Sequence, residues 1–331
     1  MDRQELEEQE QIAIREEGNS TDRLPGLLST YDILNTEFPA PTWIIPEMLS
    51  VGVAILGGRP KTGKSWMGLQ LGQAVASGGV VFGKKVDPGR VLIIALEDHP
   101  RRLKDRMQKQ GWSPGLPADF ITSKLFRERF GDLGKGGGQL LAKQIERWQY
   151  RFVVVDTLSR AIGVDQNDVN AVTNAIGSLQ EVAQNLNTSI LLIDHHKKAL
   201  ADPDAVSDIL GSTGKGAVGD CLWGLYRQAG KVGAKLILTG RDIEEQSLKL
   251  NIDWETGLWS CEGEASLYEL SGRQGEIIEF LQDAGACGIT DIGDALGINK
   301  GSAYKILSDL VNRGTILKSG KGRGGVKYSI L

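Results

Sequence analysis

Gly58-Arg59-Pro60-Lys61-Thr62-Gly63-Lys64-Ser65 is a complete phosphate-binding loop. It lies between the apolar run Val51 to Leu56 and a stretch in which Met67, Leu69, Leu71 and Val75 supply apolar positions for a helix. Strand, loop and helix are the setting the motif requires. Its glycines let the backbone curl until several N–H groups face one phosphate, and the helix N-terminus adds a favourable dipole. Lys64 is placed to reach the β- and γ-phosphates and the Ser65 hydroxyl to ligate Mg²⁺. Gly58 to Ser65, with Trp66 next in the helix, are therefore the candidate nucleotide-binding residues, and ATP and Mg²⁺ the expected cofactors. Gly211 to Gly216 repeats the glycine spacing, but Lys215 is followed by Gly216 rather than Ser or Thr, so it reads as a loop.

Outward from this loop, strand-like apolar runs recur at Val91–Leu96, Phe152–Val155, Ser189–Ile193, Leu222–Tyr226, Lys235–Thr239 and Ser247–Ile252. Apolar runs separated by helical connections predict a mostly parallel sheet covered on both faces, an α/β fold. The last two runs are close enough for a hairpin. Residues 1–24 carry eight acids against Arg3, Arg15 and Arg23 and read as an acidic flexible arm. Residues 25–261 form the expected nucleotide-binding domain.

Beyond residue 262 the pattern changes. Helices are predicted near Arg273 to Asp283, near Thr290 to Leu296, and after the turn Gly297-Ile298-Asn299. This third helix has Ala303, Ile306, Leu307, Leu310 and Val311 on one face and Tyr304, Lys305 and Ser308 on the other. Ile316 to Lys318, a Gly-rich tip and Val326 to Tyr328 complete a basic ribbon. This is the layout of a small winged helix-turn-helix domain over residues 262–331, whose third helix enters the major groove of duplex DNA. Lys300, Tyr304, Lys305, Lys321, Arg323 and Lys327 are its DNA-binding candidates.

Overall charge is −4, but from Lys300 onward seven cations face the single acid Asp309. A basic end on an acidic protein points to a polyanionic partner for that end. Cys221, Cys261 and Cys287 lack C-x-x-C spacing and read as buried thiols rather than a zinc site or disulfide framework. No run is long enough to span a membrane and no export signal opens the chain, so a cytoplasmic location is expected.

Hydrolysis of a nucleoside triphosphate needs a metal carboxylate, a group to position water and a sensor of the γ-phosphate. Phe152-Val153-Val154-Val155-Asp156 ends a strand in a carboxylate, which makes Asp156 the second Mg²⁺ residue, held on the strand beside the loop. Val91 to Leu96 leads into Glu97 and Asp98, and Glu97, directly after the strand, is the candidate base. Leu191-Leu192-Ile193-Asp194 leads into His195 and His196, where an imidazole can sense a departing phosphate.

The strings GGRPKTGKSW, LIIALEDHPRRLKDRM, FVVVDTLSR, LLIDHHKKA and LGSTGKGAVGD, in this order, resemble the RecA-type ATPases of the RepA family of plasmid and phage hexameric replicative helicases. The resemblance covers about residues 40 to 260. It implies a RecA-like P-loop NTPase core, a homo-hexameric ring and ATP-driven movement on single-stranded DNA. Lys64 and Ser65 take the phosphate-loop roles, Glu97 that of the catalytic glutamate, Asp156 that of the second metal motif and His195 that of the sensor, with His196 as its alternative. Arg241, after the strand Lys235–Thr239, resembles the arginine finger of ring helicases, although Thr239 stands where a Lys is common. An ion pair with Asp242, Glu244 or Glu245 is the competing reading of Arg241. Three functions are compatible with these features: a DNA-dependent helicase or translocase of a mobile element, an ATP-switched DNA-binding regulator or repair accessory, and a signalling ATPase with a protein-binding terminal domain.

Overall fold

The computed structural model describes residues 26–164, 168–195, 218–227, 233–265, 272–312, 314–320 and 325–330. The acidic arm, His196, the loop Gly211 to Gly216, Lys321 and Arg323 lie outside the described residues.

All seven apolar runs form strands. They are β1 (Gly52–Gly58), β2 (Arg90–Ala95), β4 (Tyr150–Asp156), β5 (Ser189–His195), β6 (Cys221–Arg227), β7 (Gly233–Gly240) and β8 (Gln246–Asp253), joined by β3 (Ala118–Thr122) and β9 (Leu258–Glu264). One nine-stranded sheet results, in the order β9-β8-β7-β6-β1-β5-β4-β2-β3. The pairs β6–β1, β1–β5, β5–β4, β4–β2 and β2–β3 are parallel. Strands β7 to β9 continue the sheet antiparallel, which includes the expected β7–β8 hairpin.

The central strands are apolar through their middles because both faces are covered. Along β1, Ala54 and Leu56 join a core containing Met67, Leu71 and Val75 of α1 (Lys64–Ser77), while Val53 and Ile55 face the other side. That second core takes in Leu141 and Ile145 of α3 (Gly137–Trp148) and Val172, Ile176 and Leu179 of α4 (Val169–Asn185). Helix α2 (Pro100–Lys109) contributes only Leu103 to the buried set and carries five cations against the single acid Asp105. The arrangement is a RecA-like α/β core.

One placement differs from expectation. Asp156 is not on the strand beside the phosphate loop: β5 is inserted between β1 and β4, so His195 pairs directly with Gly58 and Asp156 stands one strand further out. An apolar run says only that a strand is buried, and its neighbour is chosen by the crossover connections. The sheet runs on to Glu264, and the chain divides into two compact units between Pro41 and Thr42. In the first of these units the helix Thr30–Asn35 is closed by a capping box between Ser29 and Asp32.

The C-terminal elements have a core of their own. Helices α5 (Gly272–Ala284), α6 (Ile289–Leu296) and α7 (Lys300–Asn312) enclose Ile277, Leu281, Ile292, Ala303, Leu307 and Leu310. Helix α6 stops at Gly297, whose φ of 60° a side chain would strain, and α7 follows three residues later to form a helix-turn-helix. Strands β11 (Ile316–Ser319) and β12 (Lys327–Ile330) form the expected ribbon. The two-residue β10 (Cys287–Gly288), which has no period to read, adds a third strand against β12.

Candidate functional site

The parallel strands end on one side of the sheet, and their C-terminal loops enclose a cleft of about 310 Å³. Lys61 to Trp66, Glu97, Asp156, Thr157 and His195 line it. Sequence positions more than 130 residues apart therefore meet because register carries them to the same edge: Gly58 pairs with His195, Ile193 with Asp156, and Asp156 with Ala95.

Gly63 carries φ 106° where the loop turns into α1. A Cβ there would lie 2.6 Å from the Trp259 ring, whose Nε1 donates to the Gly63 carbonyl at 3.2 Å, so only glycine fits. No side chain caps α1, which leaves its first-turn N–H groups for a phosphate. Lys64 is buried, and its Nζ donates to the carbonyls of Gly58 at 2.6 Å and Arg59 at 2.9 Å, with His195 Nδ1 at 3.5 Å. Burial pulls the Lys64 ammonium down to about 8 against the attraction of Asp156, Asp194 and Glu97. His195 is held below its ordinary value by burial and by the Lys64 charge, which favours the neutral ring.

Asp156 is 7% exposed, and its Oδ1 has no hydrogen-bond partner. Burial drives its carboxyl up to about 6, the Ser65 hydrogen bond opposes that rise, and Glu97 and Asp98 add to it. A buried, under-satisfied carboxylate oxygen next to the Ser65 hydroxyl is a hard oxygen pair suited to Mg²⁺. The residues present thus fit the cation that the loop implies.

Glu97 and Asp98 have separate surroundings. Asp98 is turned away from the solvent, with its side chain 5% exposed, and is ion-paired with Arg102 at 3.3 Å and with Arg106. Glu97 lines the cleft. Its Oε1 accepts from Thr157 Oγ1 at 3.2 Å and from Arg160 Nε at 3.1 Å.

The cleft has a second half, of which the sequence reading named only Trp66 and missed the rest. Trp66, Arg106 and Trp254 line it, and Arg106 stacks over Trp66 at 5.2 Å. Trp254 sits in the β8–β9 turn with the Arg227 guanidinium 4.9 Å from its ring centre. Arg227 in turn donates to the carbonyls of Lys61 at 2.8 Å and Thr62 at 3.3 Å. Arg227 at the end of a strand and Trp254 in a turn were each visible in the sequence. Their meeting depends on β6 lying beside β1 and on β8 and β9 extending the sheet.

Arg241 is not brought to this cleft. It follows β7 at the opposite end of the sheet, where its N–H donates to Asp220 and Asp220 N–H donates to Val53. Its guanidinium lies 3.7 Å from Asp220 Oδ1, so the neighbour recorded for it is Asp220 rather than Asp242, Glu244 or Glu245. Among the terminal candidates, Lys300, Tyr304, Lys305 and Lys327 are all exposed.

Residues 20–201 match the family described as AAA domain, and residues 273–319 match the IclR helix-turn-helix domain. No curated protein sequence matches the chain. Among solved structures, a KaiC-like protein from the hyperthermophilic archaeon Pyrococcus horikoshii is similar at 11% identity and TM-score 0.43, covering 66% of this chain and 93% of that one. Among the described residues, no helix is long and apolar enough to cross a membrane.

Proposed function

The chain belongs to the AAA-domain family, and from that premise we propose that it is an ATP-hydrolysing, DNA-associated motor, a ring-forming helicase or translocase of a mobile element. The observation that carries the reading is the gathering of Lys64, Ser65, Asp156, Glu97 and His195 around one cleft.

In this reading Lys64 exchanges the carbonyls of Gly58 and Arg59 for β- and γ-phosphate oxygens, and the α1 N-terminus holds the phosphates. Ser65 and Asp156 would hold Mg²⁺, which when bound screens the charge that develops on the phosphates. Glu97 orients the attacking water and accepts its proton once Thr157 and Arg160 release its carboxylate. His195, neutral and beside Lys64, reports the loss of the γ-phosphate along β5. Arg241 reaches the cleft of a neighbouring copy in a hexamer and stabilises transition-state charge there. Single-stranded DNA runs through the ring, the terminal winged helix holds duplex DNA, and the protein works in the cytoplasm.

One observation favours a second reading, an ATP-switched DNA-binding regulator: the helix-turn-helix match is to the IclR type. Steady-state ATPase assays with single-stranded DNA, duplex DNA or none separate the two. The motor reading expects strong stimulation by single strands, loss of activity in Lys64→Ala, and tight ATP binding with slow turnover in Glu97→Gln. Slow hydrolysis that duplex alone alters supports the switch, and wild-type turnover by Glu97→Gln removes Glu97 from its role.

A further inference from the structure

The phosphate half of the cleft is made by the loop and the three strand ends, and the other half presents an aromatic surface. Trp254 is 42% exposed although it lines the same cleft as Lys64 and Asp156. One of its faces takes the Arg227 guanidinium at 4.9 Å, and Arg227 is anchored on the phosphate loop through the carbonyls of Lys61 and Thr62.

The turn that carries the ring is fixed on both sides. Asp253 accepts from the Glu255 N–H at 2.9 Å and the Thr256 hydroxyl at 2.7 Å, and its carbonyl accepts from the Gly257 N–H at 2.6 Å. Gln110 Nε2 donates both to the Gly257 carbonyl at 3.0 Å and to the Trp66 carbonyl in α1 at 2.9 Å. Gly257, at φ 71°, lies so close to Trp66 that a Cβ would stand 2.0 Å from the ring. The turn that carries Trp254 is thereby held at a set position relative to the first turn of α1.

We infer that Trp254 is the stacking platform for the base of the bound nucleotide, an assignment that rests on the nucleotide reading of the cleft. An exposed indole on a fixed turn attracts a heteroaromatic ring through overlap of π-faces, and a cation on its far face helps to hold it in place. Stacking recognises the area of a base rather than its edge. The platform therefore favours purine over pyrimidine nucleoside triphosphates and distinguishes adenine from guanine weakly.

Calorimetric titration of the full chain with ATP, CTP and inorganic tripolyphosphate, each with Mg²⁺, tests this. Trp254→Ala should bind ATP about tenfold more weakly, in line with alanine replacement at base-stacking sites, lose less for CTP, and bind tripolyphosphate as the wild type does. Trp254→Phe should keep most of the ATP affinity. Unchanged ATP affinity in Trp254→Ala overturns the assignment. Equal loss of ATP and tripolyphosphate overturns it too, because the ring would then be supporting the phosphate loop. A wild type that binds neither ATP nor tripolyphosphate brings down the nucleotide reading itself.

Discussion

Asp156 shows what the site costs the fold. Its carboxyl is raised from 3.8 to about 6 by burial, so folding at neutral pH requires a charge that the interior disfavours. A group that holds its proton more tightly when folded stabilises the fold at low pH and loses that contribution as pH rises through about 6. The penalty above that range is about 2 to 3 kcal/mol. Asp156→Asn should therefore raise the unfolding free energy by about 2 kcal/mol at pH 7.5. The gain should vanish near pH 3.5, where both states of the wild type are protonated, and Mg²⁺-dependent ATP hydrolysis should be lost. Urea titrations at the two pH values measure it, and equal stability at pH 7.5 would remove the strain argument. Glu97 is more exposed than Asp156, and its carboxylate accepts from Thr157 and Arg160.

At the scale of elements, α7 and the β11–β12 ribbon separate inner from outer residues cleanly. Ala303, Leu307 and Leu310 are buried, while Lys300, Tyr304, Lys305 and Lys327 are exposed. If the module reads duplex DNA, replacing Lys300, Lys305 and Lys327 by Ala in the full chain should weaken duplex binding similarly across sequences. The slope of affinity against salt should flatten by up to about three units, because each phosphate contact releases roughly one counterion. Fluorescence anisotropy at several salt concentrations reads this, and an unchanged slope would move the module to a protein partner. Helix α7 was legible because one apolar face betrays its period in sequence, and the central strands because an unbroken apolar run marks a strand covered on both faces. Strand β3 was not, since all five of its residues are only partly buried and none stands out as core. The phosphate half of the cleft was legible for a related reason: Lys64 stands in a loop motif that follows one apolar run, and Asp156, Glu97 and His195 stand within two residues of the ends of three others. Trp254 and Arg227 follow no common signal and are neighbours only through strand order.

For the whole molecule, the decisive distance lies along the sheet. Arg241 stands level with Asp220 and Val53, five residues from Gly58, which at the rise of a strand is about 17 Å from the phosphate loop. Within one chain it sits against Asp220. The finger assignment thus requires a neighbour, and mixing mutants tests it. Arg241→Ala keeps its own Lys64 and Lys64→Ala keeps its own Arg241, so co-assembled mixtures should recover ATPase activity that neither mutant shows alone. Co-assembly without recovery leaves Arg241 as the partner of Asp220 only. If Arg241 does complete a neighbour's cleft, giver and receiver lie at opposite ends of the same strands. Each copy would then accept at one end what it offers at the other, a head-to-tail contact rather than a self-complementary one. Such contacts repeat in one sense only, closing into a circle or running on as a screw, and the sheet would be the ruler that gives the assembly its direction.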